Sequence, residues 1–192
     1  MYDTKIDKRS IRTRAAIQSS LLRLLNQINL DEISIKGLCE NAGVNRTTFY
    51  LHYTGVNDVL VSIREDFVKR VIDKYPAPSS AKGEGAYIAF LKTVNDEIDK
   101  TPMFEKFICT SSEAGNFIKR LKDSFSDKIY ALLLPDTLED KKEHCSYITA
   151  FLCSGVIDTY FLWLKNGKKT SLDVFCKTIS ALLQDGHSHF LK

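Results

Sequence analysis

The residues with the most to say chemically are Arg46, Thr47, Thr48, Tyr50 and His52. Each can donate a hydrogen bond, and no carboxylate stands among them. Such a set suits a polyanion carrying acceptor edges. Hydroxyls can hold phosphate oxygens, and the guanidinium of Arg46 can fork onto the edge of a guanine. The surrounding window, residues 34–53, supplies the means of presentation. Ser34 is placed to cap a short helix, Gly43 to end it in the left-handed conformation of a tight turn, and Asn45 to cap the next. Leu38, Ala42, Val44 and Phe49 are the apolar residues that would lock two helices at a steep angle. The window therefore predicts a helix-turn-helix whose second helix lies in the major groove of DNA. A solvated helical hairpin would serve as well for the spacing, but it gives no reason for a face of donors without an acid.

The elements around this window read as helix throughout. With 4 Pro and 9 Gly in 192 residues and no hairpin dipeptide between alternating strands, the expected fold class is all-α. A first helix is expected from about Lys8 to Ile28, with Ile17, Leu21, Leu24 and Ile28 on one stripe. A longer one is expected near Asn57 to Lys74, carrying Leu60, Ile63, Phe67 and Val71. Two prolines and two glycines between Tyr75 and Gly85 mark a linker. Beyond it at least four more helices are expected. One carries Tyr87, Phe90, Val94 and Ile98, and another Ile118, Leu121, Phe125, Ile129 and Leu132. A long one spans about Glu139 to Lys165, and the last carries Leu172, Phe175, Ile179 and Leu182. The expected domains are a helix-turn-helix head at 1–54 with a connecting helix at 55–74, a linker at 75–85, and a regulatory and dimerisation body at 86–192.

Charge separates the same parts. The net charge is +3, and residues 1–74 hold the whole surplus, with 12 Lys and Arg against 9 Asp and Glu. Lys5, Lys8, Arg9, Arg12 and Arg14 crowd one stretch opposed only by Asp7, which suits local contact with phosphates. The opening Met1-Tyr2-Asp3-Thr4-Lys5 is polar, and apolar runs such as Tyr130 to Leu134 are too short to span a bilayer. The expected setting is the cytoplasm, without a membrane partner.

The window resembles the N-terminal domain of the TetR (tetracycline repressor) family. The resemblance lies in Ile33-Ser34-Ile35, Leu38, Ala42-Gly43-Val44, Thr48-Phe49-Tyr50 and His52-Tyr53, with an upstream helix at Thr13 to Leu22. Weaker likeness continues at Phe151, Gly155 and the segment 161–167. It points to a C-terminal type whose bearers include regulators of dihydroxyacetone kinase genes. The resemblance implies a homodimer with DNA-binding heads, joined through the last two long helices at about Glu139 to Lys165 and Leu172 to Gly186. It implies that Thr48 and Tyr50 hold phosphates, that Arg46 and Thr47 face bases or backbone, and that Ser34 and Lys36 touch the backbone from the preceding helix. The expected DNA-binding set is Ser34, Lys36, Asn45, Arg46, Thr47, Thr48, Tyr50 and His52, with Tyr53 a core aromatic. One departure stands out: Val56 and Asn57 occupy places where the family has a lysine and an acid. The helix N-terminus there retains backbone N–H groups that can meet a phosphate.

Regulators of this kind sense small molecules in the body, and Phe104, Phe107, Phe117, Tyr130, Phe151, Tyr160 and Trp163 are the candidate lining residues. The expected output is repression at a palindromic operator; activation under a protein partner is the alternative. No cofactor or metal is expected. Gly83-Glu-Gly85 lacks the lysine and hydroxyl of a phosphate loop, Ser154 lacks the flanking glycines of a nucleophile elbow, and His187 and His189 read as an exposed tail rather than a metal pair. An enzyme is therefore not expected; a purely protein-binding helical adaptor is a third class, which would not retard DNA specifically. The five cysteines show no metal-binding spacing, and Cys39, Cys153 and Cys176 read as small hydrophobes within amphipathic segments, while Cys109 and Cys145 complete the odd count.

Overall fold

A computed structural model describes residues 8–74, 84–133 and 142–190. The described residues are helical in the order α1 (Lys8–Leu25), α2 (Ile35–Ala42), α3 (Arg46–Tyr50), α4 (Val56–Lys74), α5 (Glu84–Asp99), α6 (Pro102–Thr110), α7 (Ala114–Leu133), α8 (Lys142–Lys165) and α9 (Leu172–Phe190). Lys5, Tyr75 to Gly83 and Glu139 lie outside the described residues, as do the side chains of Tyr87, Leu132, Cys145, His187 and His189.

Three helices, α1 to α3, build the head against the N-terminal half of α4. Ile17, Leu21, Leu38, Phe49 and Val59 are fully buried there. The first helix ends at Leu25, one turn before the expected Ile28, which is left exposed. Asn26 supplies the local reason: its amide bonds back to the carbonyl of Leu22 at 2.8 Å and also reaches Met103 O at 3.3 Å. The chain then passes through a 3₁₀ turn at Leu30–Glu32 into α2.

The body packs α9 on α5 and α8 on α7, with α6 wedged against α1, α5, α7 and α8. Helix α6 is not among the segments expected from the sequence. Pro102 starts it, since proline belongs at the first helical position, and nine residues are too few for a clear apolar period. In α9 the expected stripe drifts. Phe175 and Ile179 are buried, but Leu183 continues the stripe rather than Leu182, which is exposed. The step of four residues keeps the stripe on α5, whereas a step of three carries Leu182 around the helix.

One helix serves both halves. The C-terminal half of α4 sends Phe67, Val68 and Val71 into the core shared with the body, where Phe67 stacks on Phe104 with centroids 5.1 Å apart. Beside this apolar contact lies a buried carboxylate. Glu97 of α5 is 3% exposed and accepts from Arg70 Nε at 2.8 Å, from Lys100 Nζ at 2.7 Å, and from Lys74. Burial pushes the carboxyl toward protonation, but the hydrogen bonds from Lys100, Lys74 and Arg70 outweigh it and hold the group down at about 2. Arg70 and Lys74 belong to α4, so the charge cluster fastens the connecting helix to the body.

A carboxyl held low in the fold stabilises the protein above its ordinary value of 4.5 and loses that contribution as pH falls toward 2. Each tenfold weakening of proton binding is worth about 1.4 kcal/mol, which puts the contribution at roughly 3 kcal/mol. Glu97→Gln should lower unfolding stability at pH 7 by about that amount and flatten the acid limb between pH 4.5 and 2. Urea melts of both proteins across that range measure it, and an unchanged acid limb would contradict the role given to Glu97.

Candidate nucleic-acid interface

The turn between α2 and α3 is built as the residue types require. Ser34 Oγ accepts from Gly37 N at 3.0 Å and caps α2. Gly43 takes φ +64°, a left-handed conformation that favours glycine, and the following Val44 N bonds to Cys39 O at 3.0 Å. Asn45 Oδ1 accepts from Thr47 N at 2.9 Å and caps α3, which leaves the amide NH₂ of Asn45 to donate outward. Phe49 is fully buried and anchors α3 from below.

With Phe49 inward, the opposite side of α3 must face solvent. Arg46, Thr47 and Tyr50 are exposed, and Thr48 and His52 are half-buried. Tyr50 is 53% exposed and its ring meets Phe49 edge-on at 5.6 Å, so it stands beside the anchor with its hydroxyl free to project. Lys36 is exposed on α2, in a loose ion pair with Glu40 at 3.9 Å that is worth little at such exposure. The eight sequence-nominated residues therefore lie along α2, the turn and α3, with Ser34 and Asn45 also serving as caps.

Tyr53 is 3% exposed and belongs to the core. Its hydroxyl pairs with Ser62 Oγ at 3.2 Å, and Gln18 Nε2 reaches both Ser62 Oγ at 3.1 Å and Asp66 Oδ2 at 2.7 Å. Arg14 joins the same network, 3.5 Å from Asp66 and with its guanidinium 5.6 Å from the centroid of the Tyr53 ring. The end of α3 is thereby tied to α1 and α4. Arg14 is half-buried beside Asp66 and Tyr53, and Lys8, Arg9 and Arg12 are exposed on α1.

The start of α4 differs from the plain helix N-terminus expected there. Asp58 accepts from Thr54 N at 2.9 Å and from Thr54 Oγ1 at 3.2 Å. The first turn thus holds its own carboxylate, which offsets the pull of the helix dipole on a phosphate. Sequence reasoning also passes over Leu51, which caps α3 and is 77% exposed. Its apolar type hides it from a search for donors, although its place four residues after Thr47 on a helix would have found it.

The seven aromatic candidates for a ligand pocket do not come together. Phe104, Phe107 and Phe117 pack on one another, with Phe107 and Phe117 at 5.3 Å, and are core. Trp163 stacks on Phe175 at 5.1 Å and donates to Thr170 O at 2.8 Å. Tyr130 is half-buried, and Phe151 is 77% exposed on α8. Of the seven, Tyr160 alone borders the apolar cavity between α4, α5, α7 and α8. That cavity is about 20 Å³, lined by Phe67, Leu91, Phe125 and Ile157 among others. Tyr160 turns its hydroxyl away from it to donate to Asn95 Oδ1 at 3.0 Å. Burial pushes the Tyr160 phenol well above its usual range, so it stays a neutral donor. Cys39, Cys153 and Cys176 are buried, as their apolar neighbours predict, and burial pushes the Cys153 thiol up to about 12.

The described residues thus form a three-helix head with an outward donor face, carried on an all-helical body. No protein-family model matches the chain. Over 84 residues the chain is 33% identical to the HTH-type transcriptional regulator EthR of Mycolicibacterium smegmatis. That match covers 40% of this chain and 39% of EthR, so it spans about two fifths of the length of that curated relative. Solved structures agree over nearly the whole chain. The dihydroxyacetone kinase operon activator DhaS aligns with a TM-score of 0.59 and 17% identity, covering 94% of this chain and 98% of DhaS. The fatty acid degradation regulator FadR of Bacillus halodurans aligns at 0.63 with 16% identity, covering 89% and 94%. A TetR-family regulator of Streptomyces coelicolor also reaches 0.63 with 16% identity, covering 91% and 94%. The chain has the TetR-like fold, and its matches are transcriptional regulators.

Capping makes a direct prediction for the head. Asn45→Ala should cost about 1 kcal/mol of stability, the usual loss for a helix N-cap. Amide exchange at Thr47 should speed up before that in the body does. Equal acceleration in head and body would show that the cap does not act locally.

Proposed function

We propose that this chain is a sequence-specific DNA-binding regulator that acts as a homodimer on a palindromic operator and represses by occupying it. The stretch from Arg46 to His52 carries the reading: five donors, no acid, and an anchor in Phe49 that turns Arg46, Thr47 and Tyr50 outward. Ser34, Lys36 and Asn45 flank the same surface. Occupancy by a dimer blocks a promoter without needing any further contact, which is why repression is the simplest output. The proposed setting is the cytoplasm, with no enzymatic reaction.

The dimer reading rests on α8 and α9. Tyr147, Phe151 and Leu162 are exposed on α8, and Val174 and Leu182 on α9. Gly155 stands among the α8 residues, and apart from its own helix backbone nothing beyond its chain neighbours lies within 4 Å of the place a Cβ would take. By length and composition alone, Ser146–Lys165 could cross a membrane. However, Asp158 in the middle of it pairs with Lys122 of α7 at 2.9 Å, and Tyr160 and Trp163 are packed inside the body. An apolar stripe on an otherwise integrated helix fits a second copy of the chain better than a bilayer. Gly155→Arg should convert the dimer to monomer in sedimentation and lower operator affinity at least tenfold, since two half-sites are then bound independently. A variant that stays dimeric would remove α8 from the interface.

A small-molecule effector would enter the body at the apolar cavity. With about 20 Å³ the cavity holds no more than a water-sized sphere, so an effector must part the side chains around it. Because Phe67 of α4 forms part of the wall, that motion would reach the helix on which the head is carried.

Two substitutions on α3 separate phosphate contact from base reading. Tyr50→Phe should weaken binding to every sequence by about 0.5–1.5 kcal/mol per subunit and leave the salt dependence unchanged, because one neutral hydrogen bond is lost. Arg46→Ala should cost about 1–3 kcal/mol and relax preference at one position in each half-site. If Arg46 held only a phosphate, the preference would survive and the salt slope would fall by about one per subunit. Titrations against selected and random duplexes at several salt concentrations measure both. Wild-type affinity in the two variants together would refute the placement of α3 in the groove.

A further inference from the structure

Leu51 is the one side chain on the proposed reading face for which donor chemistry has no use. It is 77% exposed, as exposed as Phe151 on the proposed dimer face. Its backbone remains helical, at φ −73° and ψ −16°, so the phase of α3 carries through it. Thr47 and Leu51 are four residues apart and therefore stacked on one face, with their Cβ atoms about 5–6 Å apart. Tyr50, half exposed, stands beside them. A duplex that meets Thr47 must also cover Leu51.

A leucine can neither hold a phosphate nor bond to a base edge. The major groove presents one apolar group to such a side chain, the C5-methyl of thymine. We infer that Leu51 is a specificity-determining residue that reads one thymine in each half-site through that methyl group. The inference rests on the DNA-binding reading above and assigns to α3 an apolar contact beside its polar ones. Covering the leucine with a thymine methyl removes apolar surface from water on both partners, whereas cytosine at the same place would bring an amino group against it. The exposed cations around α3, Lys36 and Arg46, suit a nucleic acid as the occupant rather than an apolar protein surface.

Thymine and deoxyuridine differ only by the methyl group, and that difference provides the test. A bound site is selected from a pool of random duplexes with the full chain, and each thymine is then replaced in turn by deoxyuridine. Replacing that thymine in one half-site should weaken wild-type binding about fourfold, the value of one buried methyl group. Leu51→Ala, which removes the contact from both subunits, should weaken binding to the thymine site by about that factor for each half-site and lose its response to the replacement. Leu51→Met, which keeps an apolar tip, should retain the response. Because Leu51 is exposed, both variants should keep wild-type helicity and dimerisation. The proposal is overturned if wild-type protein is indifferent to every replacement, or if Leu51→Ala responds as strongly as wild type. Loss of binding to a protein partner with DNA discrimination intact would likewise overturn it. Failure of the DNA-binding reading is distinct, because then no duplex is selected at all.

Discussion

The architecture depends on α4 being buried along two different stretches. Its N-terminal half packs against α1 and the end of α3, through Val59, Ile63 and the network joining Ser62 to Tyr53 and Gln18. Its C-terminal half packs against α5, α6 and α7 through Phe67 and Val71. Neither half of the molecule can shift without moving this helix, because protein interiors are close-packed and do not yield by small degrees. The buried Glu97 reinforces the second contact. A carboxylate out of water must keep its cations, and two of the three sit on α4.

The head follows from the same logic on a smaller scale. Burying Phe49 and Tyr53 fixes the rotation of α3, and that rotation brings Arg46, Thr47, Tyr50 and Leu51 to the surface. The turn at Gly43 and the caps Ser34 and Asn45 hold the two short helices that could not persist alone, since five or eight residues fall well below the length of a stable isolated helix. The exposed donor face is thus produced by packing beneath it, with no strain in its own backbone beyond the left-handed glycine.

In the body, aromatic side chains serve the core. Phe104, Phe107, Phe117 and Trp163 have the character of a pocket lining, yet they pack on one another and on Phe67 and Phe175. Large aromatic side chains bury the most surface per residue, so a helical body uses them first to close its core. Beside α4 the described residues leave a small apolar gap. Its wall is set by residues of four helices, and no local pattern announces it. Phe151 goes the other way, outward on α8.

The sequence by itself determined the helical class, the bounds of the helix-turn-helix and the identity of its donors. Those features are written in local terms, in caps, a turn glycine and apolar spacing of three and four residues, and local terms are what a single chain displays. It also showed that Cys39, Cys153 and Cys176 belong inside, because each sits within an apolar stripe. Only the tertiary structure decided the rest. Helix α6 exists because α1, α5, α7 and α8 leave a place for it; Arg14 is drawn out of the basic patch by Asp66 and Tyr53; and Glu97 is buried because α4 delivers two cations across from α5. The pairings of Arg14 with Asp66 and of Glu97 with α4 join residues 23 or more apart in the chain. Such pairings leave no periodic trace, since the favourable energy arises only after the helices have met.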